Sequence, residues 1–418
     1  TGVVTGVSDG VAVITATASS HISGRCQVTV GKGVTVQLTY GEAPELNARF
    51  QTDDGLYWKV TGADTVQLIK ENSEFLAGYP QISGELTIPA TVEYSGQEFR
   101  VTSIGDYAFY MNRGITSVAI PEGVTEVGPA AFVMCYGLRT VQLPESLEKI
   151  GERAFYFCAN ANISIPDGVK VIEADAFHGT AIQELDLPYG LEVLGNDAFA
   201  FCSDLTEVII PETVMSYGSN LFLGCKKLRY AELPSNLREI PADMFYQCEK
   251  LERIQIPDGV ERIGVGAFYG CGLKSLVLPA SVKEIGNWAF AWMSRLEHLV
   301  IPDGVTHIGS RAFAYGNGIR SISLGEGIER IGESAFFMYD IDEEDFYIRT
   351  DVKTEHGAIA LRRSGYGGEI YLNGVLFEGY AGNQFVVDGV TYMPTSDTTV
   401  EALSCEESLV GEHLVIPA

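Results

Sequence analysis

Six of the eight cysteines, Cys135, Cys158, Cys202, Cys225, Cys248 and Cys271, stand three residues after a phenylalanine, at one place in a recurring unit. Such a file could make disulfides, hold a metal, or serve as a row of small apolar side chains. Side chains at one repeat position run parallel, so neighbouring sulfurs fall near disulfide distance without pointing at each other. There is no CxxC pair and no histidine in the file, which leaves a thiolate metal site without its usual donors. The spacing therefore predicts buried, reduced thiols that act as small hydrophobes. An aerobic secreted protein avoids so many free thiols, whereas an anaerobic habitat tolerates them.

The remaining chemistry-bearing residues form no catalytic constellation. His21, His178, His298, His307, His356 and His413 are scattered, and no HExxH, P-loop, nucleophile elbow or dinucleotide fingerprint occurs. The run Asp340-Ile341-Asp342-Glu343-Glu344-Asp345 lacks the glycine and distal glutamate of a calcium loop and reads as a solvated cap. The expectation is a chain with no cofactor, no metal and no enzymatic activity.

The elements that carry these residues follow from periodicity. A phenylalanine, usually after alanine, recurs at Phe109, Phe132, Phe155, Phe177, Phe199, Phe222, Phe245, Phe268, Phe290, Phe313 and Phe336, always 22 or 23 residues apart. Pro121, Pro144, Pro166, Pro188, Pro211, Pro234, Pro257, Pro279 and Pro302 keep the same beat. Each unit runs Leu-x-x-Ile-x-Ile-Pro-x-x-Val-x-x-Ile-Gly-x-x-Ala-Phe-x-x-Cys, as in Leu251, Ile254, Ile256, Pro257, Val260, Ile263, Gly264, Ala267, Phe268 and Cys271. Ile-x-Ile alternates as a half-buried strand does, and proline ends it. Val-x-x-Ile-Gly is expected to span a bend whose glycine takes a backbone shape closed to other residues. Ala-Phe is expected on a short helical turn. One unit cannot bury its apolar face alone, but stacked units can, as a solenoid.

The unit resembles the BspA-like leucine-rich repeat of bacterial surface proteins over residues 87–338, with local departures at Tyr217, Leu221, Pro241 and Met244. The resemblance implies a right-handed leucine-rich repeat solenoid, one β-strand plus a short helical turn per 22–23-residue repeat. It also implies a bacterial protein, secreted or at the cell surface, that binds host or neighbouring-cell proteins.

Residues 1–32 alternate as two antiparallel strands and resemble the closing strands of a group-2 bacterial immunoglobulin-like domain; a simple β-hairpin cap is the alternative. Residues 33–100 read as linker and N-terminal cap, 101–338 as the repeats, 339–384 as an irregular cap with a hairpin at Leu372-Asn373-Gly374, and 385–418 as the start of a second cassette. That last reading rests on Phe385, Asp388-Gly389 and Thr399-Val400, which repeat the order of Phe50, Asp54-Gly55 and Thr65-Val66. Opening at Thr1 without Met or a leader, the chain reads as part of something longer.

The net charge of −27, from 55 acidic and 28 basic residues, excludes nucleic acid and anionic membranes as partners. No apolar run reaches membrane-spanning length.

Specificity in such a solenoid lies on outward strand positions. Glu184, Asp186, Glu207 and Glu232 are expected to gather around Ile209 and Tyr230, with Arg253 next along the file. Packed like charges invite a basic partner or a cation. Tyr110, Phe157, Phe201, Trp292 and Tyr315 form a second candidate row, suited to sugar stacking or a protein hot spot, or simply covering the turn. The leading expectation is a protein-binding, adhesive module. Glycan binding, substrate docking for a secreted enzyme, and an inert spacer are the alternatives.

Overall fold

The computed structural model describes residues 2–5, 10–17, 23–30, 35–38, 45–70, 82–337, 349–363, 370–376, 385–387, 390–396 and 399–405. The chain divides into two compact units, Thr1–Cys202 with Thr213–Ser216, and Ser203–Glu212 with Tyr217–Ala418. Each is built on a parallel β-solenoid.

In the first unit, Gly10–Thr17 pairs antiparallel with Ser23–Val30, and Gly2–Thr5 with Thr35–Leu38. An antiparallel meander of Arg49–Gln51, Tyr57–Val60 and Thr65–Ile69 then closes over buried Trp58, Val66 and Leu68. Its last strand pairs parallel with Gln97–Ile104, so the meander covers that edge of the solenoid.

Two parallel ladders run on from this cap. The first consists of the Leu-x-x-Ile-x-Ile strands Gly84–Thr87, Ile115–Ala119, Thr140–Gln142 and Asn162–Ile163. The second was not expected from the sequence: the segment read as a bend forms Glu126–Val127, Lys149–Ile150, Val171–Ile172 and Val193–Leu194. Strands of two residues carry too little alternation to stand out in a sequence. The glycine after them is needed for a reason other than backbone shape. Gly151 is absent from the positive-φ residues, but a Cβ there would stand 2.8 Å from the backbone of Gly128 and Pro129 in the preceding coil. Coils approach too closely for any side chain.

The Ala-Phe segment is not a helical turn. The residue two before each repeat phenylalanine, and the residue two after each one from Phe109 to Phe313, takes left-handed backbone, such as Ala130 (φ 55°) and Met134 (φ 56°) around Phe132. Alternate amides bond locally, as Cys135 N to Phe132 O at 3.2 Å, and to the next coil, as Phe132 N to Ala154 O at 2.7 Å and Met134 N to Tyr156 O at 2.7 Å. A third wall of stacked turns results, hydrogen-bonded from coil to coil like a sheet. Left-handed backbone costs a non-glycine residue about 1–2 kcal/mol; the bonds between coils, which would otherwise leave buried amides unpaired, offset it. Inside that wall the phenylalanines stack face to face, with Phe132 and Phe155 centroids 5.2 Å apart at 5° and both rings fully buried.

The second unit repeats this plan. Its first ladder is Glu207–Ile209, Tyr230–Glu232 and Arg253–Ile254, then His298–Val300, Ser321–Leu324, Arg349–Val352 and Ile370–Leu372. The second ladder runs Glu239–Ile240, Arg262–Ile263, Glu284–Ile285, His307–Ile308 and Arg330–Ile331. No strand forms around Leu276, in the copy where Cys271 and Leu273 are one residue closer than usual. Beyond Phe336 the beat is lost but the ladder continues. Helix Glu355–Arg363, whose Gly357 amide is capped by the Thr354 hydroxyl at 3.1 Å, takes the place of a turn wall. Ile370–Leu372 then turns through Asn373 and Gly374, both at positive φ, into Val375–Leu376. Phe385–Val387, Val390–Ser396 and Thr399–Cys405 form an antiparallel meander in the same strand order as the N-terminal cap.

Candidate binding surface

Strand alternation puts one residue of each first-ladder triplet inside and two outside. In the second unit Val208, Ala231 and Leu299 are buried, which turns Glu207 and Ile209, Tyr230 and Glu232, and His298 and Val300 outward. Glu207, Tyr230 and Arg253 stand in one register row, Ile209 beside Glu232 in the other. The Tyr230 hydroxyl donates to Glu232 Oε2 at 3.0 Å, and that bond to a carboxylate raises the phenol's pKa. A groove of about 710 Å³ lies along this face, lined by Tyr230, Glu232, Arg253, Gln255, Ser275 and Val277.

The groove wall is ordered by backbone-directed bonds. Glu212 accepts from the Ser235 amide at 2.8 Å and hydroxyl at 3.0 Å, and the amide bond above all lowers its pKa. Nearby, Glu252 is clasped by Lys274 and Arg295, each at 2.8 Å, which lowers its pKa in turn.

Of the residues the sequence pointed to, Glu207, Ile209, Tyr230, Glu232 and Arg253 are thus together in the second unit. Glu184 and Asp186 are exposed on either side of buried Leu185 in the first unit. Two residues went unchosen: Val277, 77% exposed, and Val300, 60% exposed. Both belong to the outward file that the repeat defines, and their signal was an aliphatic side chain at such a position.

The aromatic row lies on the turn walls. In the second unit Trp292 and Tyr315 stack with centroids 4.8 Å apart, and Tyr246 stacks on Tyr269 at 4.4 Å. In the first, Tyr110 meets Tyr107 edge to face at 5.7 Å, while Phe157 and Phe201 each lie 5.2 Å from the His178 ring. Four of the five, Phe157, Phe201, Trp292 and Tyr315, occupy the left-handed place after the buried phenylalanine. Among the described residues one group has metal-ligand character, Asp175, His178 and Asp197 of the first unit, whose donor atoms lie within 4.8 Å of one another. The expectation of no metal site had no view of it, because its two carboxylates are a full repeat apart in sequence. No described helix is long and apolar enough to cross a membrane.

Stacked copies of a 22–23-residue unit with a Leu-x-x-Ile-x-Ile strand define a leucine-rich repeat protein. The family described as "BspA type leucine rich repeat region (6 copies)" matches residues 102–229 and 216–342, more than half of the chain, and the protein belongs to that family. A leucine-rich repeat protein from Bacteroides ovatus shares the fold, with a TM-score of 0.51 at 22% identity over 77% of this chain and 99% of that one. A leucine-rich cell surface protein from Faecalibacterium prausnitzii is similar at 25% identity, with a TM-score of 0.44 over 69% of this chain and 92% of that one. The pneumococcal vaccine antigen PcpA gives 18% identity and a TM-score of 0.44, over 79% and 99%. No curated protein matches.

Proposed function

We propose that the chain is a protein-binding module and that its ligand docks on the first-ladder face of the second unit. The observation that carries this is the exposure of Ile209 (56%), Tyr230 (45%), Val277 and Val300 at outward positions. Apolar side chains in four of five consecutive copies, rimmed by Glu207, Glu232, Arg253 and His298, are the composition of a protein contact site. A solenoid offers an extended surface for it. The rim charges favour a partner with basic groups, and Tyr230 is the residue type that dominates such interfaces. On this reading the chain is a non-enzymatic adhesion protein, secreted or displayed at the bacterial surface. The strands within residues 1–32 belong to an immunoglobulin-like spacer, and Glu184 and Asp186 make a separate, weaker contribution.

A second reading has one observation in its favour: Trp292, half exposed and stacked on Tyr315, is a platform on which a sugar ring could lie. One experiment separates the two. The whole chain is tested on an array of matrix proteins, cell-surface proteins and glycans, beside Ile209→Asp/Val277→Asp and Trp292→Ala. Saturable binding to a protein, lost in the double variant and kept in Trp292→Ala, supports the ladder face. Binding to a glycan, lost in Trp292→Ala alone, replaces it with the aromatic row, and loss only on Glu184→Gln/Asp186→Asn moves the site to the first unit.

A further inference from the structure

Asp175 and Asp197 occupy the same place in consecutive copies of the first unit, two residues before Phe177 and Phe199, both with left-handed backbone (φ 57° and 55°). The Asp175 amide donates to the Asn196 carbonyl at 2.8 Å, which ties the two coils side by side and sets the carboxylates next to each other. His178 follows Phe177 and is 9% exposed. Its ring sits among Tyr156, Phe157 and Phe201, with centroids 4.8, 5.2 and 5.2 Å away. Its Nδ1 is wholly buried and makes no hydrogen bond, although Asp175 Oδ1 is 3.1 Å away: the distance is met and the angle is not. Arg153 Nε donates to Asp175 Oδ2 at 3.1 Å, which leaves Oδ1 as the oxygen facing the imidazole.

We propose that His178, Asp175 and Asp197 bind one divalent transition-metal ion, with zinc as the best-matched case. Donors bound about 2.1 Å from one ion lie roughly 3–4 Å apart, so the 3.1 Å between Nδ1 and Oδ1 already fits a shared ion. Asp197, whose donor oxygen is within 4.8 Å of the others, closes the set by a small side-chain rotation. One imidazole and two carboxylates suit zinc, whereas calcium takes six to eight oxygens. The ion also accounts for the charge arrangement: neighbouring coils place two carboxylates together, and Arg153 pairs with Asp175. Arg153 then acts as an outer partner, orienting a ligand as such partners do in metal sites. The site lies on the turn wall of the first unit, so it is independent of the ladder-face function above. There the ion would pin two consecutive coils.

The test is calorimetric titration of the whole reduced chain with zinc chloride, beside His178→Gln and Asp197→Asn, with thermal melts of all three in zinc and in EDTA. The proposal expects one zinc ion per chain, at least roughly tenfold weaker binding in each variant, and a melting temperature raised by zinc in the parent chain alone. Equal affinity in the variants, or no zinc-dependent heat or melting shift in the parent, overturns it. Variants that melt early even in EDTA, without any zinc effect in the parent, would make the cluster a metal-free packing contact and overturn the proposal as well.

Discussion

The Cys135 thiol donates a hydrogen bond at 3.1 Å to the carbonyl of Phe109 in the preceding coil. The same bond joins Cys158 to Phe132 and Cys202 to Phe177 in the first unit, and Cys248 to Phe222 and Cys271 to Phe245 in the second. The cysteine file is therefore more than small apolar filler: each of these five thiols ties its coil to the one before, next to the stacked rings. A serine would place its oxygen too short for that reach, and an alanine would have no donor.

These thiols should be shielded from solvent and reagents. All six repeat cysteines are free and buried. Burial drives the pKa of Cys158, Cys248 and Cys271 up, and that of Cys202 up to about 11. Iodoacetamide at pH 8 is expected to leave all six unlabelled in the folded chain and to label them after denaturation, as read by mass spectrometry. The sign of the pH effect follows. A thiol whose folded pKa is raised contributes its full stability below its unfolded pKa, about 8.5, and loses it as pH rises through the folded value. Stability should thus fall by about 1.4 kcal/mol per pH unit for each such thiol above that pH, until about 11 for Cys202. Urea melts between pH 7 and pH 11 measure it; a flat profile would contradict it.

The interior stack and the close coil contacts make a second prediction. Phe155→Ala removes a fully buried ring and should cost about 3–5 kcal/mol. Gly151→Ala adds one methyl group but forces it to 2.8 Å from backbone that cannot give way, so about 1–3 kcal/mol is expected. Gly151 has no positive φ, so without that close contact alanine there would be neutral or slightly stabilising. Chemical denaturation of the two variants distinguishes these outcomes.

Left-handed backbone on the turn wall can be tested at neighbouring positions. Ser334 has φ 55°, whereas Ala335, beside it, is fully buried and absent from the positive-φ residues. Ser334→Gly relieves about 1–2 kcal/mol of strain and costs about 0.5–1 kcal/mol in chain entropy, so a net gain of about 0.5–1 kcal/mol is expected. Ala335→Gly has no strain to relieve and loses a buried methyl, a cost of about 1 kcal/mol. Opposite signs in thermal melts would confirm the turn wall; a helical turn would make both variants destabilising.

What could be read in advance was what repeats in side-chain type. Phe132, Phe155 and their successors must all fill one interior file, so the solenoid, its period and the inward face of Leu-x-x-Ile-x-Ile were legible. The turn wall was not, because backbone conformation alone defines its left-handed places, and residues as different as Ala130, Arg153 and Trp288 fill them. The second ladder hid because Glu126–Val127 and its successors are two residues long. The outward residues were legible as positions only: register gathers Tyr230, Glu232 and Arg253, but which of them stand free of neighbours, as Val277 does, depends on the local break in the ladder at Leu276. The approach of Asp197 to His178 comes from stacking two coils, which no local spacing encodes.

The central claim, that a protein ligand docks on the ladder face of the second unit, is tested most directly by hydroxyl-radical footprinting of the whole chain, free and saturated with the ligand found on the array. Tyr230, Ile209, Val277 and Val300 all present exposed, oxidisable side chains, as does Trp292 on the turn wall. The account predicts that the ligand protects the first four and leaves Trp292 and Tyr315 as reactive as before. Protection of Trp292 and Tyr315, with Tyr230 and Val277 unchanged, would contradict it.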